Sequence, residues 1–153
     1  MKAVLTMGLP GAGKSTVLET KYNLNNFTVV DPDEIKKSHP EYDVKELSVC
    51  HEWSKQEAEL RIAKVIRDQE NVIIDGTGTN VEKMYSRITT LQAAGYEVEL
   101  LFVKVSLKTA IQRNSERDRV VDEEIIREKF LYIKDAFEIL STAADSSVVV
   151  NNE

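Results

Sequence analysis

Short apolar runs alternate along the chain with stretches in which apolar residues return every three or four positions. That alternation predicts a parallel α/β sheet with helical crossovers. Lys2 to Met7 reads as the first strand, with Ala3, Val4 and Leu5 as its apolar run. Phe27 to Val30, Asn71 to Ile74, Tyr96 to Val105 and Ser147 to Val150 read as four more. Leu100 to Val103 is continuously apolar, which suits a strand covered on both faces. A helix opens near Lys14, and a short one runs from Asp33 towards Ser38. A long helix is expected from about Val44 to Gln69, with Leu47, Cys50, Ala58, Ile62 and Val65 as its buried stripe. Asn80 is placed to cap a helix whose Val81, Met84, Ile88 and Leu91 share one face, and Gly95 fits its C-terminal cap. Leu107 to Arg113 is short and helical. Asp122, Glu123 and Glu124 open a last helix with the acidic first turn that the helix dipole favours. Ile126, Phe130, Ile133, Phe137 and Leu140 form its expected buried stripe.

Composition narrows the picture only a little. The chain has 153 residues, which suits a single domain. Its formal charge of −6 argues against coating nucleic acid through non-specific attraction, though not against a local basic pocket for a strand end. Cys50 is the only cysteine, so neither a disulfide framework nor a cysteine zinc site is possible within one chain. There is no long apolar stretch and no basic leader before one, so no membrane partner and a cytoplasmic setting are expected.

The chemistry gathers where three strands end. Gly8-Leu9-Pro10-Gly11-Ala12-Gly13-Lys14-Ser15, followed by Thr16, fits G-x-x-x-x-G-K-[ST] between a strand and a helix. Glycines let such a loop turn several N–H groups towards one anion, and the helix start adds positive charge. Lys14 is placed for the β- and γ-phosphates of ATP, and the Ser15 hydroxyl for Mg²⁺. The guanine-reading tetrad N-K-x-D is absent from the sequence.

Asp31-Pro32-Asp33-Glu34-Ile35-Lys36 follows the second strand. A carboxylate there can orient an acceptor hydroxyl and take its proton, or cap a helix, or both. Lys36, one turn past Asp33, is placed to meet an acceptor phosphate. Asp75-Gly76-Thr77-Gly78-Thr79-Asn80 follows the third strand. Asp75, or Asp33 across from it, is placed to steer Mg²⁺ through water, and Thr77 and Thr79 to bond a substrate hydroxyl or phosphate. Arg113, Arg117 and Arg119 fall in a seven-residue run between two helices and read as a lid over about 113–121. Arginines there spread positive charge over a transferring phosphoryl group, and Arg113 and Arg117 are expected on one helical face. His39 and His51 lack metal spacing and read as structural. Trp53 reads as packing.

These segments resemble the kinase domain of phage polynucleotide kinases and the zeta-toxin kinases. The start from Met1 to Thr16, and Arg113-Asn114-Ser115-Glu116-Arg117 with Val120-Val121 and Ile125-Ile126-Arg127, are similar to the polynucleotide kinases. Asp31-Pro32-Asp33, Lys36, His39-Pro40 and Gly95-Tyr96-Glu97-Val98 are similar to the zeta group. The resemblance implies a P-loop fold with a five-stranded parallel sheet of order 2-3-1-4-5 flanked by helices. It also implies Asp33 as the base, Lys36 against the acceptor, and Asp75 and Thr77 at an acceptor sugar. Both groups transfer the γ-phosphoryl of ATP. A polynucleotide 5′-hydroxyl is the first expected acceptor, with UDP-N-acetylglucosamine and then a small metabolite or nucleoside behind it. A zeta-like chain would also have an antitoxin partner at its ATP site. No added phosphatase domain is expected. The alternative of another class is a nucleotide-binding switch, against which an acceptor base and an arginine lid both argue.

Overall fold

The computed structural model describes residues 1–42, 48–117 and 120–153. The chain runs β1 (Lys2–Met7), α1 (Lys14–Lys21), a 3₁₀ turn (Leu24–Asn26), β2 (Thr28–Val30), α2 (Pro32–Lys37), α3 (Ser48–Asp68) and β3 (Val72–Ile74). It continues with α4 (Val81–Ala93), β4 (Glu97–Lys104), α5 (Leu107–Ser115), α6 (Glu123–Ser141) and β5 (Ser146–Asn151). The sheet order is β2-β3-β1-β4-β5, and every pairing is parallel.

Why these residues make this sheet is plain from burial. Ala3 to Met7 and Val72 to Ile74 are buried at every position, so neither strand has a solvent face. Only helices on both sides can cover such strands. Register then sets the site. Leu5 lies level with Ile74 on one side and Leu100 on the other, and Val30 is level with Ile74. The carboxyl ends of β1, β2 and β3 therefore open on one edge, where parallel sheets place their ligands.

The helices end where local chemistry says they should. Asn80 accepts from the Lys83 N–H and opens α4, and Gly95, at φ 95°, follows its end. Asp122 accepts from the Glu124 N–H and opens α6. α3 stops at Asp68 because Gln69 turns left-handed, at φ 56°. Cys50, Ala58, Ile62 and Val65 form its buried face as the spacing predicts, while Leu47 and the expected start at Val44 lie outside the described residues.

One member of the α6 stripe differs. Phe130 is 39% exposed, whereas Ile126, Ile133 and Leu140 are buried and Phe137 packs on Phe102 at 5.1 Å between ring centres. Ala136 takes a buried place on α6 instead, because a small residue lets the helix approach the sheet. No described helix is long and apolar enough to cross a membrane.

Candidate active site

The Gly8–Ser15 loop joins β1 to α1 as the motif requires. Gly11 and Gly13 sit at φ 86° and 84°, conformations in which only glycine is comfortable. Gly11 is also fixed by packing, since a Cβ there would lie 2.5 Å from the Ala110 carbonyl of α5. Gly13 precedes α1, so its left-handed turn feeds directly into a helix N-terminus, the arrangement that gathers N–H groups for an anion. Ser15 and Thr16 stand exposed in the first turn. Pro10 is half-buried, while Gly8 and Ala12 are buried. The Lys14 ammonium donates to Gly8 O at 3.0 Å and Leu9 O at 3.4 Å. Burial holds its pKa below the ordinary lysine value, against the opposing pull of the Asp75, Asp33 and Asp31 carboxylates, and Arg117 adds to the lowering. Four groups, from the ends of β2 and β3 and from the arginine run, thus act on one ammonium.

At the end of β2 the two acids divide the work. Asp31 is the cap of α2, with Oδ1 accepting from the Asp33 N–H at 2.9 Å. Its carboxyl is pushed up to about 6, by burial first and then by the negative charges of Asp75 and Asp33. Asp33, inside the first turn of α2, is exposed. The cap of α2 is therefore Asp31 and not Asp33. Lys36 is 4% exposed, with Nζ 3.2 Å from His51 Nδ1 on α3, so it does not lie open beside Asp33 as the one-turn spacing suggests. The α2–α3 packing that buries Ile35 draws it inward. His39 accepts from the Glu41 N–H and meets the Trp53 ring edge-on at 4.8 Å, in keeping with structural readings of both.

At the end of β3, Asp75 accepts from Thr6 Oγ1 at 2.6 Å, and the same oxygen receives the Gly76 N–H at 2.9 Å. Thr77 contributes backbone, its carbonyl accepting from the Gly8 N–H at 3.0 Å. That bond ties the Asp75 loop to the phosphate loop.

In the lid, Arg113 Nη1 donates to Ala12 O at 3.4 Å, so this arginine rests against the phosphate loop. Arg117 does not share its helical face. α5 ends at Ser115, and Arg117 lies in the following turn with its N–H on Asn114 O. Its charge nonetheless reaches Lys14. Arg119 lies outside the described residues.

Three contributors escape sequence reasoning. Thr6 is the one hydroxyl in an apolar strand, a signal that was available. Asn114 is 3% exposed and pairs with both backbone groups of Val121, at 2.7 and 3.0 Å, joining the two ends of the lid. It stood hidden inside the arginine run. Asn152, past β5, donates to Ala12 O at 2.8 Å, and nothing in the sequence connects it to a loop 140 positions away.

A phosphate loop at the centre of a 2-3-1-4-5 sheet, faced by acids from two neighbouring strand ends and an arginine-bearing helix, defines a P-loop nucleotide-binding protein of the kinase-like fold. More narrowly, the chain belongs to the zeta-toxin family, whose model matches residues 2–153. It is 30% identical to toxin zeta of Streptococcus pyogenes over 114 residues, covering 67% of this chain and 39% of that protein. It is 27% identical to toxin PezT of Streptococcus pneumoniae, covering 66% and 44%. The chain thus spans less than half the length of these relatives. Among solved structures, it resembles one from the PezAT toxin-antitoxin system of S. pneumoniae, with TM-score 0.66, 22% identity, and 98% and 68% coverage. A chain of the Pnkp1/Rnl/Hen1 RNA repair complex gives TM-score 0.71 at 16% identity, over 90% and 45%. A chain of the AvrRxo1-ORF1:-ORF2 complex with ATP gives 0.69 at 17%, over 89% and 50%.

Proposed function

We propose that the protein is an ATP-dependent phosphotransferase that moves a γ-phosphoryl group to an acceptor hydroxyl. The observation that carries this is the division between Asp31 and Asp33. Asp31 caps α2, and Asp33 is exposed in its first turn, with its charge reaching the phosphate-loop lysine. A switch that only binds nucleotide needs no such carboxylate.

The residues present fit ATP with one Mg²⁺. The left-handed Gly13 and the start of α1 offer N–H groups to the phosphates, and the Ser15 hydroxyl is exposed beside them. Asp75 and Asp31 stand as nearby acids that can hold metal-bound water. No group of three or more His, Cys, Asp or Glu able to hold a metal alone occurs among the described residues, which agrees with Mg²⁺ held largely by substrate phosphates. When bound, the ion neutralises charge between the β- and γ-oxygens.

Asp33 takes the proton of the attacking hydroxyl as the O–P bond forms, and ADP leaves. Lys14 and Arg117 hold the charge that spreads over the transferring oxygens. Arg113 sets the loop, and Arg119 extends the cationic run. Asp75 and Thr77 are the residues assigned to the acceptor sugar, and Lys36, packed against His51 of α3, supports the Asp33 segment.

For the acceptor, membership of the zeta family and the Asp75-Gly76-Thr77 segment favour a nucleotide sugar such as UDP-N-acetylglucosamine. A polynucleotide 5′-hydroxyl is the second reading, supported by the arginine segment and by likeness of fold to the RNA repair complex. An antitoxin partner is part of the first reading. The test is γ-labelled ATP with each of UDP-N-acetylglucosamine, a 5′-hydroxyl oligonucleotide and a nucleoside mixture. Label on the sugar is expected. Label released only to water in all three would sink phosphotransfer and favour the switch.

A further inference from the structure

We infer that Asn152 is a positioning residue for the phosphate loop, aiming the Gly13 N–H at the β-phosphate of the bound nucleotide. The inference rests on the nucleotide-binding reading above and extends it to a residue outside the motif.

Ala12 O accepts from Asn152 Nδ2 at 2.8 Å and from Arg113 Nη1 at 3.4 Å. A peptide unit is planar and trans, so a carbonyl drawn one way turns the next N–H the opposite way. The Gly13 N–H therefore points away from both donors. Two donors on the carbonyl, one of them charged, also polarise that N–H and strengthen it towards an anion.

The chain is built to let Asn152 in. A Cβ at Gly13 would lie 2.5 Å from Asn152 Nδ2, so the glycine that gives the loop its left-handed turn also makes room for the amide. Asn152 is itself held. Its N–H donates to Lys104 O at 2.9 Å, continuing the β4–β5 ladder by one bond. The next residue, Glu153, accepts from the Ser106 N–H and, at 2.6 Å, from Thr109 Oγ1, which fastens it to the start of α5. α5 carries Arg113, the second donor to the same carbonyl. Strand β5, the lid helix and the phosphate loop thus converge on one peptide group.

The experiment compares wild type, Asn152→Ala and Asn152→Asp by calorimetric titration with inorganic tripolyphosphate, ADP, ATP and adenosine. Asn152→Ala should weaken tripolyphosphate, ADP and ATP by a similar factor of about tenfold. Asn152→Asp should weaken them further, because a carboxylate cannot donate to Ala12 O and repels the phosphates. Adenosine affinity should not change, and in turnover KM for ATP should rise while kcat holds.

Affinities within twofold of wild type in both variants would overturn the assignment. So would a loss for ATP without a loss for tripolyphosphate, since Asn152 would then touch base or ribose. Loss of the helical circular dichroism signal in both variants would make it a folding residue and overturn it as well. Failure of the wild-type chain to bind ATP or tripolyphosphate would instead sink the nucleotide-binding reading itself.

Discussion

The donor side of the site and its acceptor side are built from different material. On the donor side, backbone does the holding. Gly11 and Gly13 supply left-handed turns, Ala12 and Gly8 are buried, and the loop is tied to Thr77, Arg113 and Asn152 through its own N–H and C=O groups. On the acceptor side, side chains do the work. Asp33, the proposed base, is exposed and belongs to a short helix. Triphosphate chemistry is common to all P-loop proteins, and a rigid frame serves it. Acceptors differ, and exposed charges on short elements can be changed without disturbing the core. The comparison predicts two kinds of failure: donor-side changes should cost stability and nucleotide affinity, and acceptor-side changes should cost rate alone.

The sharpest attempt to break that division is Asp33→Asn. The exchange keeps shape and leaves the Asp33 N–H to bond Asp31, so the α2 cap survives. It removes the base, and turnover should fall by about 10²- to 10⁴-fold. ATP affinity and the melting temperature should stay near wild type. Near-full turnover in a labelled-phosphate assay would remove Asp33 from the mechanism. A matching loss of ATP affinity would erase the distinction between the two sides.

Gly11→Ala probes the other side. The residue sits at φ 86°, and its new Cβ would meet the Ala110 carbonyl at 2.5 Å. Neither backbone can yield cheaply. The left-handed conformation alone costs about 1–3 kcal/mol for a side-chain residue, or roughly 3–10 °C in Tm for a chain of this size. Differential scanning calorimetry without nucleotide should show the loss. An unchanged Tm would mean that α5 does not rest on the loop as described.

Much of this frame was legible in the residues, for identifiable reasons. The strands, the helices and the phosphate loop rest on local signals: apolar runs, glycines at fixed offsets, and capping residues such as Asn80 and Asp122; the 2-3-1-4-5 order came with the family resemblance. Phe130 was misplaced because a 3.6-residue period names a face of α6 but not how far that face reaches around the sheet. The burial of Lys36 was not readable, because spacing says which way a side chain leaves α2, not that α3 will cover it. Arg117 was misplaced because the helix ends two residues before it. Asn152 was invisible because its partner is Ala12, and only the closed sheet brings them together. Apart from that helix end, what escaped was tertiary.

The smallest effect tests the acids themselves, through pH. Asp31 has a folded-state pKa of about 6 against the ordinary aspartate value of 3.8. Between those values the folded protein holds a proton that the unfolded chain has lost. The stabilisation from that proton is complete below the unfolded value and disappears as pH rises through 6. Asparagine can still accept the Asp33 N–H, and it carries no charge to repel Asp75 and Asp33. Asp31→Asn should therefore be more stable than wild type at pH 7.5, measured without Mg²⁺ or nucleotide. The carboxyl is partly open to water, so the gain should be discounted to about 1 kcal/mol, roughly 2–4 °C. It should shrink as pH is lowered from 7 to 4, where the wild-type carboxyl is itself neutral in the fold. A gap independent of pH would show that the cap and not the charge cluster sets the difference, and Asp31 would then belong with the backbone-built side of the site.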